Sequence, residues 1–169
     1  MTELVARLTS GFRPADDEQF MLQRVQPALI GLIDGTVSTL APIFAAAFLA
    51  GPRAALLVGV ASALGAAISM GLSEALSDDG SLTGRGTSLS RGLITGGATF
   101  IGGTFHALPF LIGDLQTALT VAYITVGIEL LAIAWIRKRF LDVSLSLSLI
   151  QVTLGGVIVA VTGIVIGNA

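Results

Sequence analysis

Apolar residues in this chain come in long runs, with no strand-like alternation. Five windows are long enough to cross the ~30 Å hydrocarbon core of a bilayer: residues 26–50, 53–76, 92–113, 115–136 and 143–167. The stretch from Gly92 to Gly113 holds no Asp, Glu, Lys or Arg, and neither does the stretch from Val143 to Ala169. The window 115–136 is interrupted only by Glu129. Too little polar chain remains to cover five such segments in water. The pattern predicts an all-α integral membrane protein with five transmembrane helices per subunit and no second domain. Residues 1–25 form an N-terminal cytoplasmic or interfacial segment, and residues 26–169 the five-helix transmembrane domain.

Local signals refine these elements. Residues 1–12 (MTELVARLTSGF) read as a short amphipathic helix at the membrane surface. Arg13-Pro14 breaks it. Ala15-Asp16-Asp17-Glu18 then starts a second helix, with acids in its first turn, that runs on towards the first span. Pro42 cannot donate to the carbonyl of Ser38, so the first span bends there. Gly59, Ala63, Ala67 and Gly71 make a small-residue stripe that permits close helix contact.

Composition agrees. The chain is 53% hydrophobic and 12% charged, with a mean hydropathy of +0.89. The charges it has are placed unevenly. With the N-terminus inside, Arg7, Arg13, Arg24, Arg85, Arg91, Arg137, Lys138 and Arg139 all fall on the cytoplasmic side, leaving only Arg53 outside. The positive-inside rule therefore predicts a cytoplasmic N-terminus and an external C-terminus. No cleavable signal peptide is expected. Arginine outnumbers lysine eight to one, which with heavy use of Ala and Gly suggests a GC-rich bacterial genome, and the expected location is a bacterial inner membrane. The absence of cysteine excludes disulfides, zinc–thiolate sites and thiol catalysis. No HExxH, nucleotide-binding loop or Ser/His pair suggests an enzyme, and no nucleic-acid partner is expected.

Acids inside apolar windows are the candidate chemistry, because a carboxylate there costs roughly 2.5–3.5 kcal/mol on insertion scales. At ~1.5 Å per residue, Asp34, Met70, Glu129 and Gln151 come out at one depth, roughly 10–12 Å inside the cytoplasmic boundary. Glu74 lies one turn nearer the cytoplasm, and Asp78 and Asp79 stand at the mouth, where the plain alternative is a solvated pair. Apart from Arg53 at the outer edge of the second, no basic residue lies in any window, so Asp34 has no intramembrane counter-ion. Carboxylates, an amide and a thioether suit a borderline divalent metal such as Fe²⁺ or Mn²⁺ better than Mg²⁺ or Ca²⁺. A carboxylate that binds metal also binds protons, which is the simplest basis of metal–proton exchange. Taken singly, Met70 reads as packing, Gln151 as an interhelical hydrogen bond, Glu129 as an ion pair with Arg137, and His106 as a packing residue or an outer proton relay.

Four segments, in order, resemble a family. Gly31-Leu32-Ile33-Asp34-Gly35 resembles the G-L-x-D-G motif of the vacuolar iron transporter (VIT) family, and Ser69-Met70-Gly71-Leu72-Ser73-Glu74 its S-M-x-x-x-E segment. Leu108-Pro109-Phe110 is similar to its P-L-L-P-F segment, and Thr162-Gly163-Ile164-Val165-Ile166-Gly167 to its closing T-G-x-x-x-G. The resemblance spans residues 26–169. It implies five transmembrane helices per subunit, a homodimer with its pore at the interface, and export of Fe²⁺, and often Mn²⁺, from the cytosol in exchange for protons. It implies that Asp34 is the central metal and proton carboxylate, Met70 a pore ligand and Glu74 the cytoplasmic gatepost. The metal is cargo, and no cofactor is implied. The glutamate-rich metal-binding domain of plant-type members is replaced here by residues 77–90, and Pro27 and Ala75 stand where those members have an acid and a tyrosine. The chain looks closer to a bacterial branch in which a ferritin-like (erythrin) domain precedes the transporter; such a domain or another cytosolic metal donor is an expected partner. Two other readings compete: a non-transporting membrane assembly or anchoring module with degenerate metal chemistry, and a passive channel or small-solute carrier.

Overall fold

The computed structural model describes residues 15–169, whose regular elements are all helices, with no strand among them. The expected interfacial helix over residues 1–12 lies outside the described residues. Helix α1 (Ala15–Phe20) continues through a π-helical turn, Met21–Val25, into α2 (Gln26–Ser38), so the helix begun at Ala15 does run into the first span. The regular helix is interrupted at Thr39 and resumes as α3 (Leu40–Ala50). The cause is Pro42, which lacks the N–H that Ser38 would need. The Thr39 hydroxyl bridges the break by donating to the Gly35 carbonyl at 2.8 Å.

Gly51, at φ +84°, ends α3 and reverses the chain, with Pro52 preset for the first turn of α4 (Pro52–Ser77). Thr87 caps α5 (Ser88–Phe105), and Asp114 caps α6 (Leu115–Leu141) by accepting from the Thr117 N–H at 2.8 Å. Ser144 caps α7 (Leu145–Gly167). The window 92–113 is not one helix. Pro109 cannot donate to the Phe105 carbonyl, so α5 stops there, and a short 3₁₀ turn, Leu108–Leu111, follows.

Four helices are long and apolar enough to cross a membrane: Glu18–Ala50, Pro52–Ser77, Leu115–Leu141 and Leu145–Gly167. The shorter α5 is not among them. Its Gly and Thr residues lower its hydropathy and let it pack closely between α2 and α4. Gly92 and Gly96 meet Gly71 and Ala67 across that contact, and Gly103 meets Ala63, which accounts for the small-residue stripe on α4.

One core centres on Leu40, Ile43, Phe44 and Ala47 of α3, packed on Ala55, Phe110, Leu119 and Ala122. A second joins Leu29, Leu130, Ile133 and Val152. Outside them, large apolar side chains stand exposed along α4, α6 and α7, among them Leu57, Leu64, Leu131, Trp135, Leu154 and Val165. Such surface is unfavourable in water and favourable in hydrocarbon. The described residues are all-helical in their regular structure, and their four long apolar helices are those of a membrane protein.

Candidate functional site

Gly31 and Gly35 lie one turn apart on α2, pressed against backbone of α5. A Cβ on Gly31 would overlap the Thr95 carbonyl oxygen, and one on Gly35 that of Thr99. This contact fixes the rotation of α2. Ile30, Ile33, Asp34 and Val37, at helical spacing on one stripe, then face away from α5. They line a groove of about 1050 Å³, open along its side, together with Met70 of α4, Arg137 of α6 and Gln151 and Gly155 of α7. Most of the lining is apolar. Asp34 is half-buried and makes no hydrogen bond or ion pair among the described residues.

Three of the four layer residues, Asp34, Met70 and Gln151, therefore share one groove. Gln26, Ser38 and Arg137 also line it, and of these the charged Arg137 was not expected from the windows. Helix α6 runs to Leu141, five residues beyond the window that ended at 136, and carries Arg137 into the groove. Arg137 Nη2 donates to Gln151 Oε1 at 2.9 Å. The basic last turn of α6 is the signal that could have shown this, since cations there extend a helix by complementing its C-terminal dipole.

Glu129 does not face the groove. It is 7% exposed and lies 2.8 Å from His106 Nδ1 through Oε2. The longer α6 also moves it from the inner end of its helix to the middle. His106, read as lying near the outer end of its span, meets it there because α5 stops at Phe105.

Glu74 is held in an ion-pair cluster. Its Oε1 accepts from Arg85 Nη2 at 2.9 Å and lies 3.0 Å from Arg91 Nε. Arg91 is fully buried; it also reaches the Asp78 carboxylate at 3.4 Å and donates to the Asp78 carbonyl. Asp78 Oδ2 accepts from the Thr83 hydroxyl at 2.6 Å, and Oδ1 from the Gly80 N–H at 2.7 Å. The Thr83 hydroxyl above all, then the Gly80 N–H and the cations of Arg91 and Arg85, hold the Asp78 carboxyl below the usual range. Asp79 is held low by the backbone N–H and hydroxyl of Ser81. The mouth acids thus shape the loop from Asp78 to Thr87, and Glu74 ties it to α4 and α5. The burial of Arg91 was not legible, because the positive-inside count treats every loop arginine alike.

This cluster yields a prediction. Arg91→Met keeps most of the volume but leaves Glu74 without its buried partner. It is expected to cost about 3 kcal/mol, the low end for a broken buried pair, since Glu74 keeps some solvent contact. A group whose folded pKa is depressed contributes stability above its unfolded pKa and loses it as pH falls through the folded value. Removing Arg91 removes part of the depression at Asp78. The wild-type advantage should therefore be largest at neutral pH and shrink on acidification below the ordinary aspartate value of 3.8. Unfolding midpoints of both proteins across that range measure it; equal midpoints at neutral pH contradict it.

No protein-family model, curated protein or solved structure matches this chain.

Proposed function

We propose that the chain is a proton-coupled exporter of a divalent transition metal, Fe²⁺ or Mn²⁺, that crosses a bacterial inner membrane five times per subunit, N-terminus inside, and works as a homodimer. One observation carries this reading: a carboxylate without a partner among the described residues, Asp34, faces an open groove that the thioether of Met70 also lines, in the middle of a membrane-length helix. An unpaired acid at that position is costly and is by default functional. One copy brings a single carboxylate and a single sulfur to the groove. A second copy across a two-fold axis doubles both, and water completes the shell that a metal such as Fe²⁺ or Mn²⁺ requires.

The chemistry is competition. Two Asp34 carboxylates bind either a metal ion or protons. Protons arriving from the acidic side release the metal, and a new metal displaces the protons on the other. Arg137, held by Gln151, offsets part of the negative charge, which keeps binding weak enough for release. The same bond occupies the Gln151 oxygen, and the arginines occupy Glu74. Those two facts are what favour the alternative of a non-transporting assembly or anchoring module.

Flux of Fe²⁺ and Mn²⁺ into proteoliposomes, with and without a pH gradient, tests the proposal. Gradient-driven flux is expected. Flux indifferent to the gradient would mean a channel, and an intact dimer without flux would mean the assembly module.

A further inference from the structure

Away from the groove, three polar side chains from three elements form one buried chain. Glu129 Oε2 of α6 lies 2.8 Å from His106 Nδ1, at the corner after α5. His106 Nε2 lies 2.9 Å from Thr39 Oγ1, at the break between α2 and α3. The Thr39 hydroxyl donates to Gly35. His106 and Thr39 are essentially without solvent contact.

The chain fixes its own protons. A hydroxyl has one hydrogen, and that of Thr39 is committed to Gly35. Thr39 Oγ1 must therefore accept from His106 Nε2, which carries a hydrogen. The short contact between Nδ1 and Oε2 then needs one more proton. Either a neutral Glu129 donates to Nδ1, or an imidazolium donates to a carboxylate. Both forms are neutral overall, which a dry interior favours. The other oxygen, Glu129 Oε1, is buried without a hydrogen-bond partner among the described residues, and marks where a proton or water can arrive.

The remaining ionisable groups on the packed helices are engaged elsewhere or lie apart. Asp34 of α2 and Arg137 of α6 line the groove. Arg53 stands in the first turn of α4, while Glu74 and Arg91 pair with each other. Lys138 and Arg139 lie in the last turn of α6, and the Tyr123 ring stacks on Phe44. Helices α3 and α7 carry none. None of these groups bonds to Glu129 or His106.

We propose that Glu129 and His106 form a second proton site of the transporter, separate from the Asp34 groove, whose single shared proton is exchanged during the cycle. This rests on the proton-coupled reading above. In the exchange the proton leaves the Nδ1–Oε2 bond for a water oxygen, leaving a neutral imidazole and a carboxylate; returning reverses it. No electron moves. Because Thr39 is at the helix break, five residues after Asp34, the state of the pair bears directly on how α2 is held.

Glu129→Gln tests it. The amide can still donate to Nδ1, so the chain and the fold persist, but no proton can be exchanged. Gradient-driven Mn²⁺ flux should fall roughly a hundredfold, in the range of lost proton-transfer groups, while Mn²⁺–Mn²⁺ exchange without a gradient stays near the wild-type rate. His106 is the only histidine, so ¹⁵N-histidine NMR reads the pair without ambiguity: Nδ1 should share a proton in the wild type and become a plain acceptor in the variant. Wild-type gradient-driven flux in Glu129→Gln, or identical Nδ1 signals in the two proteins, overturns the proposal while leaving the antiport reading standing. Wild-type protein without gradient-driven flux is a failure of the antiport reading itself and removes the carrier role with it.

Discussion

Asp34→Asn should abolish gradient-driven metal flux while leaving the protein at least as stable as the wild type. The amide has nearly the same shape and one of the same oxygens, so packing in the groove changes little. It has no charge for a divalent ion and no exchangeable proton. Both halves of the exchange are lost at once, and a fall of at least roughly a hundredfold is expected. Stability moves the other way. Asp34 makes no hydrogen bond or ion pair among the described residues, so its replacement breaks no interaction, and it relieves part of the roughly 2.5–3.5 kcal/mol that an intramembrane carboxylate costs. A gain of about 1–2 kcal/mol is reasonable for a half-buried position. Flux and unfolding midpoint, measured on the same preparations, separate function from structure. A variant that transports normally but unfolds earlier would make Asp34 a structural acid and sink the proposed function.

The helical, membrane-type character of the chain and the break in its first span were legible because hydrophobic length and proline are local signals, whereas the window 92–113 divides into α5 and a 3₁₀ turn and is not among the four membrane-length helices. Pro42 foretold the break that falls at Thr39, and Ala15 starts a helix where the acids of its first turn suggested. What the sequence hid is azimuth. Counting residues from a window's edge gives depth but not which way a side chain points. Asp34, Met70 and Gln151 share a groove because their faces agree as well as their levels. Glu129, reckoned to the same level, turns inward to His106. The edge itself was also misjudged at α6. The windows leave Arg137, Lys138 and Arg139 outside the membrane, yet they extend the helix to Leu141, which shifts every depth counted from that end. The Glu74 cluster depends on Arg85 and Arg91 folding back from the far side of a loop. No periodicity announces such a contact.

The G-L-x-D-G segment has a physical logic that leads to the last prediction. Alanine is the better helix former by about 1 kcal/mol, so propensity alone predicts that Gly35→Ala stabilises α2. Contact reverses the sign. A Cβ at Gly35 would overlap the Thr99 carbonyl oxygen and lie 2.8 Å from its carbon and 2.9 Å from the Gly103 nitrogen. All three are backbone atoms and cannot swing aside, so α2 must move off α5. That movement also loosens the Gly31 contact with Thr95 and displaces Asp34 within the groove it shares with Met70. A net loss of about 1–3 kcal/mol is expected, as for an overpacked core, together with reduced flux. Gly127→Ala is the matched control: it lies within α6 with nothing within 4 Å of its new methyl, so propensity should act unopposed and the variant should be neutral or gain up to about 1 kcal/mol. Opposite shifts of the two unfolding midpoints would mean that the glycines of α2 are there to bring two backbones together and so aim Asp34. Parallel shifts would mean that α2 and α5 are not in contact at Gly35, and the groove as described would have to be redrawn.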